Sequence, residues 1–344
     1  MRFTFLGTSA GVPTRQRNVS GFALSIDDQR DWYLVDCGEG TQHRLLQSRH
    51  SLARLRAVFI SHVHGDHCYG LPGIIASANM SGRTQPLTIC APDGIQQFVE
   101  AVRLHTDLHT LRYPLHFVRS DQQSAVYEDE HLRVSAHALS HRVPSFAYRF
   151  EEKPPHTLNQ EKLSALQVPR GPLWGELQHG HSVTLDDGQS IHPEQVCEAS
   201  WKARTVMVGG DNDQPDLLLS ALKNTDLLVH EATFTEDILA QVGPQYMHST
   251  AAMLAKTAAS AKLPHLALTH FSQRYRELPS PGKRHVDELR TEAAQHYSGN
   301  IVLAKDLDSY QLTRDGALEK LDEKAGLNKE SVKNNEREIP QQSA

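Results

Sequence analysis

The residues most able to do chemistry lie in one segment of the chain, which reads FISHVHGDHCYGLPG. His62, His64, Asp66 and His67 form an HxHxDH pattern there, between an apolar run and a loop that contains glycine. At the histidine and aspartate content of this chain, a shuffled sequence would contain the pattern only about 0.005 times. Both residue types are common zinc ligands, and the turn after a strand end can direct successive side chains to two places. The loop therefore predicts ligands for two metal ions.

Two metal ions need more ligands than this loop provides, because each zinc takes three or four protein groups. Single His or Asp residues follow three other apolar runs: His141 after VSAHALS, Asp211 after TVMVGG and His270 after LALT. His137 competes with His141 for the same role. With Asp211 as a bridge the count closes for two sets of three ligands, which are His62, His64 and His141 for one ion and Asp66, His67 and His270 for the other.

The elements that position these residues are short apolar runs of strand length, which recur along most of the chain. Helical patterns lie between several of them, notably at 94–104 and at 249–262, where Ser249 is the expected capping residue. Strands that alternate with helices favour a layered α/β fold over an all-β sandwich.

Two segments depart from this pattern and predict the domain organisation. Residues 154–196 carry several prolines and glycines around one short helical stretch at 158–166, which indicates an insertion. Residues 316–344 are rich in Glu, Lys, Asn and Gln and contain no aromatic residue, which predicts a disordered polar tail. The catalytic domain is accordingly expected at 1–315.

Charge and cysteine content restrict the possible partners and the compartment. Lys and Arg total 35 against 41 Asp and Glu, so a net charge of −6 excludes a general attraction to nucleic acid. The four cysteines form no CxxC pair, and no apolar run is long enough to cross a membrane, so we expect a cytoplasmic protein without a membrane partner. Contact with RNA would need local basic patches, for which the candidates are Arg44, Arg49, Arg54 and Arg56, and Arg274, Arg276, Lys283 and Arg284.

Further segments with distinctive sequences lie along most of the chain. They are FLGTSAGVPTRQRN at 5–18, LVDCGEGTQHRL at 34–45, SHVHGDHCYGLPG at 61–73, HRVPSFAYRFE at 141–151, VPRGPLWGEL at 168–177, HEATF at 230–234, HST at 248–250 and THFSQRY at 269–275. With these segments the chain resembles the short-form ribonuclease Z family, tRNA 3′-processing endonucleases within the metallo-β-lactamase superfamily. The HxHxDH pattern marks only the superfamily, whereas HEATF, HST and THFSQRY together are more specific.

The resemblance implies a four-layer αβ/βα sandwich with an inserted protruding arm that binds tRNA, in a homodimer. It implies two Zn²⁺ per subunit, held by the same seven residues as the ligand count. It also implies in-line attack of a metal-bridging hydroxide on precursor tRNA, which removes the 3′ trailer and leaves a 3′-hydroxyl. Asp66 would accept the proton of the attacking water, and His248, oriented by Glu231, would protonate the leaving oxygen.

The chain departs from the family pattern at two places. Asn212 stands where the family usually has threonine in GDT, which predicts a different hydrogen-bond network around Asp211. The arm is only weakly basic, with Lys162 and Arg170. Two alternatives remain open at this point: a zinc phosphodiesterase that acts on small or cyclic phosphodiesters, and a non-catalytic RNA-binding scaffold, which would be expected to lack some of the metal ligands.

Overall fold

Two large β-sheets form the centre of the molecule in the computed structural model, which describes residues 1–322 except 28, 109, 123, 124 and 280. The first sheet contains β1 (Arg2–Gly7), β2 (Gly21–Ser25), β3 (Trp32–Cys37), β4 (Leu55–Phe59), β5 (Leu87–Ala91), β6 (Leu115–Arg119), β20 (Ser309–Leu312) and β21 (Leu318–Leu321). Its strand order is β21-β20-β1-β2-β3-β4-β5-β6, and the strands from β3 to β6 are parallel.

The second sheet is also mixed. It contains β7 (Ala125–Glu128), β8 (Leu132–Leu139), β9 (Ser145–Glu152), β14 (Thr205–Gly209), β15 (Leu227–Glu231), β16 (His265–Thr269) and β19 (Asn300–Leu303). Its order is β19-β16-β15-β14-β9-β8-β7, and β14, β15, β16 and β19 are parallel. Their carboxyl ends therefore meet at one edge of the sheet, where ligands commonly bind in such folds.

Helices cover the outer face of each sheet. They are α1 (Thr41–Leu45), α2 (Gly65–Cys68), α3 (Leu71–Met80) and α4 (Ile95–His105) on the side of the first sheet, and α8 (Glu236–Val242), α9 (Ala251–Ser260) and α10 (Asp287–Ala294) on the side of the second. Short parallel strands β17 (Tyr275–Arg276) and β18 (Arg284–His285) pair beside them. The arrangement confirms the predicted αβ/βα sandwich.

The main core lies between the two sheets. Phe5 and Phe59 from the first sheet and Tyr148 and Val206 from the second are all buried there. The central strand β3 is buried at every position because both of its faces are covered, which explains why it begins with the apolar run WYLV. This packed core holds the strand ends that carry the polar residues in fixed positions.

The insertion folds around a small core of its own. Its ends pair as β10 (His156–Leu158) and β13 (Cys197–Ala199), so the two ends are adjacent. The apolar side chains of this core are Leu163, Val168, Leu177, Val183, Ile191 and Val196. Between the paired ends lie α5 (Gln160–Ala165), α6 (Pro172–Gln178), β11 (Val183–Thr184), β12 (Ser190–Ile191) and α7 (Pro193–Val196).

Two sequence predictions need correction. The tail was expected to begin at residue 316, but β21 (Leu318–Leu321) pairs antiparallel with β20 and extends the first sheet, because backbone pairing can order a short polar segment. Residues 323–344 of the predicted tail lie outside the described residues. Helix α9 is capped by Thr250, whose side chain accepts a hydrogen bond from Met253, whereas Ser249 donates its hydroxyl to the Asn212 carbonyl.

Candidate metal centre

Strand ends from both sheets meet at one site. The 61–67 loop follows β4, Asp211 follows β14, and His270 follows β16. His141 lies in the connection from β8 to β9, and Glu231 is the last residue of β15. His270 adopts a left-handed conformation with a φ of 56°, and this bend directs its side chain into the site. The structure thus brings together residues that are up to 208 positions apart in the sequence.

Four of these side chains form the first ligand group. His62 Nε2 lies 3.0 Å from His64 Nδ1, and His141 Nε2 lies 3.3 Å from the same atom. Asp211 Oδ2 is 3.6 Å from His62 Nε2 and 3.8 Å from His141 Nε2. Burial, together with the neighbouring histidines, lowers the pKa of His62 well below its usual value, which keeps the ring in the neutral form that binds metal.

The second ligand group is more regular. The Nε2 atoms of His67 and His270 lie 3.3 Å apart. Each of them lies 3.3 to 3.4 Å from Asp66 Oδ2 and from Asp211 Oδ1. Asp211 therefore offers one carboxylate oxygen to each group.

This donor set fits metal ions better than it fits hydrogen bonding. Nitrogen and oxygen ligands about 2.1 Å from a tetrahedral zinc lie about 3.4 Å from each other, close to the separations in both groups. Asp211 Oδ1 is buried and has no hydrogen-bond partner, although an ionised carboxylate oxygen is costly to bury alone. The buried carboxylates Asp36, Asp211 and Glu231 and the partly buried Asp66 also call for positive charge nearby.

The outer nitrogen of most of these histidines is held by an oxygen. His67 Nδ1 contacts Asp36 Oδ2 at 2.7 Å, and His62 Nδ1 contacts Ser61 Oγ at 3.0 Å. His270 Nδ1 lies 3.0 Å from Thr233 Oγ1, and His141 Nδ1 lies 2.9 Å from the carbonyl oxygen of Met247. Such contacts fix the orientation of each ring and select the nitrogen that would be available to a metal ion.

Two residues at the site were not identified from the sequence. Asp36 is the second-last residue of β3, has a φ of 56°, and accepts hydrogen bonds from the Ser61 amide and hydroxyl in addition to its contact with His67. The Gly11 amide donates to Asp66 Oδ2 at 2.8 Å. The segment LVDCGEG carries a signal for Asp36, an acidic residue directly after the apolar run WYLV. A backbone donor such as Gly11 leaves no comparable signal.

Glu231 and His248 form a buried pair beside the two ligand groups. Both carboxylate oxygens of Glu231 lie 3.1 Å from His248 Nδ1, and Asp211 Oδ2 lies 3.7 Å from the same nitrogen. Burial lowers the pKa of His248, but the two carboxylates outweigh it and raise the pKa to about 9. Burial raises the pKa of Glu231, but His248 and other histidines outweigh it and lower the pKa below its usual value. The contact therefore favours a protonated His248 ring next to an ionised Glu231.

Asn212 joins three parts of the site through a fully buried side chain. Its Nδ2 lies 3.1 Å from His230 Nε2, and its Oδ1 accepts hydrogen bonds from the Ser140 and Gln214 amides at 3.2 and 3.1 Å. Its own amide donates to Glu231 Oε1 at 2.8 Å. The residue therefore links the loop that carries His141 to the strand that carries Glu231.

Several other predicted candidates lie elsewhere or have internal partners. His137 lies on β8, where its Nε2 contacts Ser135 Oγ at 3.0 Å, outside both ligand groups. Much of the arginine content of the two patches is used inside the protein, since Arg44 pairs with Asp306 and Arg284 with Glu288. The four cysteines are free, and among the described residues no helix could span a membrane.

Comparison with known proteins shows which family the chain belongs to. A family profile described as "Anti-Pycsar protein Apyc1" matches residues 1–139, less than half of the chain. A protein of Marinobacter nauticus named ribonuclease Z is 50% identical over 323 residues, which cover 94% of this chain and 99% of that protein. The chain belongs to the ribonuclease Z family. A ribonuclease Z of Prochlorococcus marinus, 40% identical over 91% of this chain and 98% of its own length, extends the family match.

Solved structures agree with membership in the ribonuclease Z family. The crystal structure of human tRNase Z, short form, aligns with a TM-score of 0.61 and 25% identity over 91% of this chain and 100% of that one. Membership confirms the predicted fold, the enzyme class of hydrolytic endoribonuclease, and the predicted function in tRNA 3′ processing. Together with the His and Asp cluster, it also indicates metal binding.

Proposed function

We propose that this chain removes the 3′ trailer of precursor tRNA at a centre of two zinc ions held by the seven residues of the two ligand groups. The observation that carries the proposal is Asp211, whose two oxygens face two separate histidine groups while Oδ1 has no other partner. When bound, the zinc ions supply positive charge for the phosphoryl oxygens and lower the pKa of the attacking water.

Asp66 is proposed to orient and deprotonate that water. Burial raises the pKa of its carboxyl, but His67 and His270 lower it well below its usual range, so Asp66 remains ionised. The Gly11 amide holds Oδ2 from the side of the 8–18 loop. An ionised and fixed carboxylate is suited to accept a hydrogen bond from the water and so to direct the lone pair of the water oxygen toward phosphorus.

His248 is the proposed proton donor to the leaving 3′ oxygen, and Glu231 is its positioning residue. Glu231 takes Nδ1 of the imidazolium, which leaves Nε2 as the nitrogen that can donate. An alkoxide leaving group needs this proton, whereas a nitrophenolate does not, because its negative charge is already stabilised.

The leaving group therefore provides the test of this assignment. His248→Ala is expected to lower kcat on precursor tRNA by at least 100-fold, to lower it much less on bis(p-nitrophenyl) phosphate, and to leave the zinc content unchanged. Equal losses on both substrates would contradict the role as a proton donor, and a loss of zinc would assign His248 to metal binding.

The insertion at 154–196 is proposed to act as the tRNA-binding arm. It carries five acidic side chains against Lys162 and Arg170, and Lys162 already pairs with Glu198 at 2.8 Å. Arg170 lies 5.3 Å from the ring of Trp174. Arg170 and Trp174 are therefore its best candidates for contact with RNA, through charge and stacking together.

Dimer formation is proposed through the helical layer of the first sheet. Tyr69, Met80 and Leu104, on or directly after helices α2, α3 and α4, expose 62%, 84% and 72% of their surface to water. Met80→Asp combined with Leu104→Asp is expected to convert a dimer to a monomer in sedimentation velocity.

Because its substrate is precursor tRNA, we propose that the enzyme acts in the cytoplasm.

A further inference from the structure

A cavity of about 280 Å³ opens beside His248. Its walls include His248, Phe234, Tyr246, Val12, Gln273 and Arg274. The volume approaches the lower end of small-molecule pockets, about 300 Å³, and the mixture of aromatic walls with a few polar groups is typical of such pockets. No role in the mechanism above requires Phe234, Tyr246 or this cavity.

The walls of the cavity are held rigidly relative to the ligand groups. Met247, between Tyr246 and His248, has a φ of 54°, and its carbonyl oxygen accepts the hydrogen bond of His141 Nδ1. Phe234 is 4% exposed and forms a bridge with Thr250. The opposite wall is tied to the strand end of His270, since the Ala10 amide donates to the Phe271 carbonyl at 3.1 Å.

Tyr246 and Arg274 are the groups in the cavity that are available to a ligand. Tyr246 is 45% exposed, and its ring lies 6.0 Å from the guanidinium of Arg142. Arg274 contacts Ser272 Oγ at 3.3 Å and forms no ion pair with a carboxylate among the described residues. An exposed aromatic ring in the same cavity as an arginine is an arrangement suited to stacking with a nucleobase.

We propose that this cavity binds the base of the nucleotide whose 3′ oxygen is the leaving group, with that base stacked on Tyr246. The inference rests on the proposed function, because it takes His248 as the donor to that oxygen. His248 lines the cavity, and the oxygen that it protonates belongs to the last nucleotide of the mature tRNA, so the base of that nucleotide is the one assigned to the cavity.

Stacking on an aromatic ring accepts every base, because each base has an aromatic face. The site is therefore expected to detect that a base is present more than which base it is. The four possible bases at this position should differ by less than about fivefold in kcat/KM, whereas removal of the base should lower kcat/KM by about 5-fold to 150-fold.

The experiment is a cycle between protein and substrate. The zinc-loaded protein and the variants Tyr246→Ala and Tyr246→Phe are assayed on precursor tRNA with an intact or an abasic last nucleotide. Tyr246→Ala should lower kcat/KM on intact tRNA about as much as loss of the base does, and it should have little further effect on the abasic tRNA. Tyr246→Phe should retain at least half of the wild-type value, because it keeps the ring.

Two outcomes would overturn the inference. One is that Tyr246→Ala lowers kcat/KM on the abasic tRNA by the same factor as on the intact tRNA, which would show that Tyr246 and the base act independently. The other is a loss of bound zinc in Tyr246→Ala by elemental analysis, which would indicate damage to the metal centre. If the wild-type protein does not cut precursor tRNA at all, the proposed function fails first, and that failure is distinct from either outcome.

Discussion

Replacing Asn212 by alanine tests whether one buried amide holds the His141 loop against the Glu231 strand. The substitution leaves the fully buried His230 Nε2 without its partner, at a cost of about 1 to 3 kcal/mol. It also removes the acceptor for the Ser140 and Gln214 amides, which lie nearer to water and should cost about 0.5 kcal/mol each. The free energy of unfolding should therefore fall by about 2 to 4 kcal/mol.

Urea unfolding at fixed zinc concentration measures this loss, and competition with a chelator measures zinc affinity. Because the network positions His141, affinity should fall by about 10-fold to 100-fold. Asn212→Thr should lose about half as much stability, since one hydroxyl cannot reach all three partners. Gln214→Ala, which removes an exposed side chain from the same loop, is the control and should cost less than about 0.5 kcal/mol. If Asn212→Ala matches that control in stability and affinity, the linking role is refuted.

Three further predictions follow from the arm, from His50 and from Asp211. Replacing 157–198 with a short Gly-Ser turn should raise KM for precursor tRNA and leave the hydrolysis of bis(p-nitrophenyl) phosphate unchanged. The replacement should fold, because the two ends of the arm are adjacent and the arm has its own core. Equal losses of activity on both substrates would contradict the binding role. His50 packs against Trp32, with ring centroids 4.8 Å apart, and burial lowers its pKa to about 4. The unfolded chain therefore takes up a proton first as pH falls below about 6.5. Between pH 7 and pH 4, the free energy of unfolding should therefore fall by about 2 to 3 kcal/mol more in the wild type than in His50→Gln. Parallel pH profiles of the two proteins would show that His50 does not cause the loss of stability in acid. Asp211→Asn should lower zinc bound per chain from two toward one or none by elemental analysis, because Asp211 supplies an oxygen to each group; retention of two would exclude the bridge.

The sequence predicted the loop at 62–67 readily because four ligands are nearly contiguous and follow a strand. Asp211 and His270 could also be found, since each is a polar residue directly after an apolar run. The structure brings all seven predicted ligands together and places His248 against Glu231. The layered fold was predictable for the same reason, because strand and helix periodicities alternate along the chain.

Other features depend on contacts between distant residues and leave little trace in local sequence. The Gly11 amide reaches Asp66 across 55 positions, and Asn212 contacts Ser140 across 72. Strand β21 has the composition of a polar tail, and its order comes from pairing with β20 and from the packing of Leu318 against the core. Thr250 rather than Ser249 caps α9, because the Ser249 hydroxyl donates a hydrogen bond to the Asn212 carbonyl instead.

The most direct test of the account is to map the cut made in a precursor tRNA with a 3′ trailer by the zinc-loaded protein, with Asp211→Ala and bis(p-nitrophenyl) phosphate in parallel. The account predicts a single cut that releases the trailer and leaves a 3′-hydroxyl on the tRNA, and loss of that cut in the variant. Hydrolysis of the small diester with the tRNA left intact would contradict it and would assign the metal centre to a small phosphodiester instead.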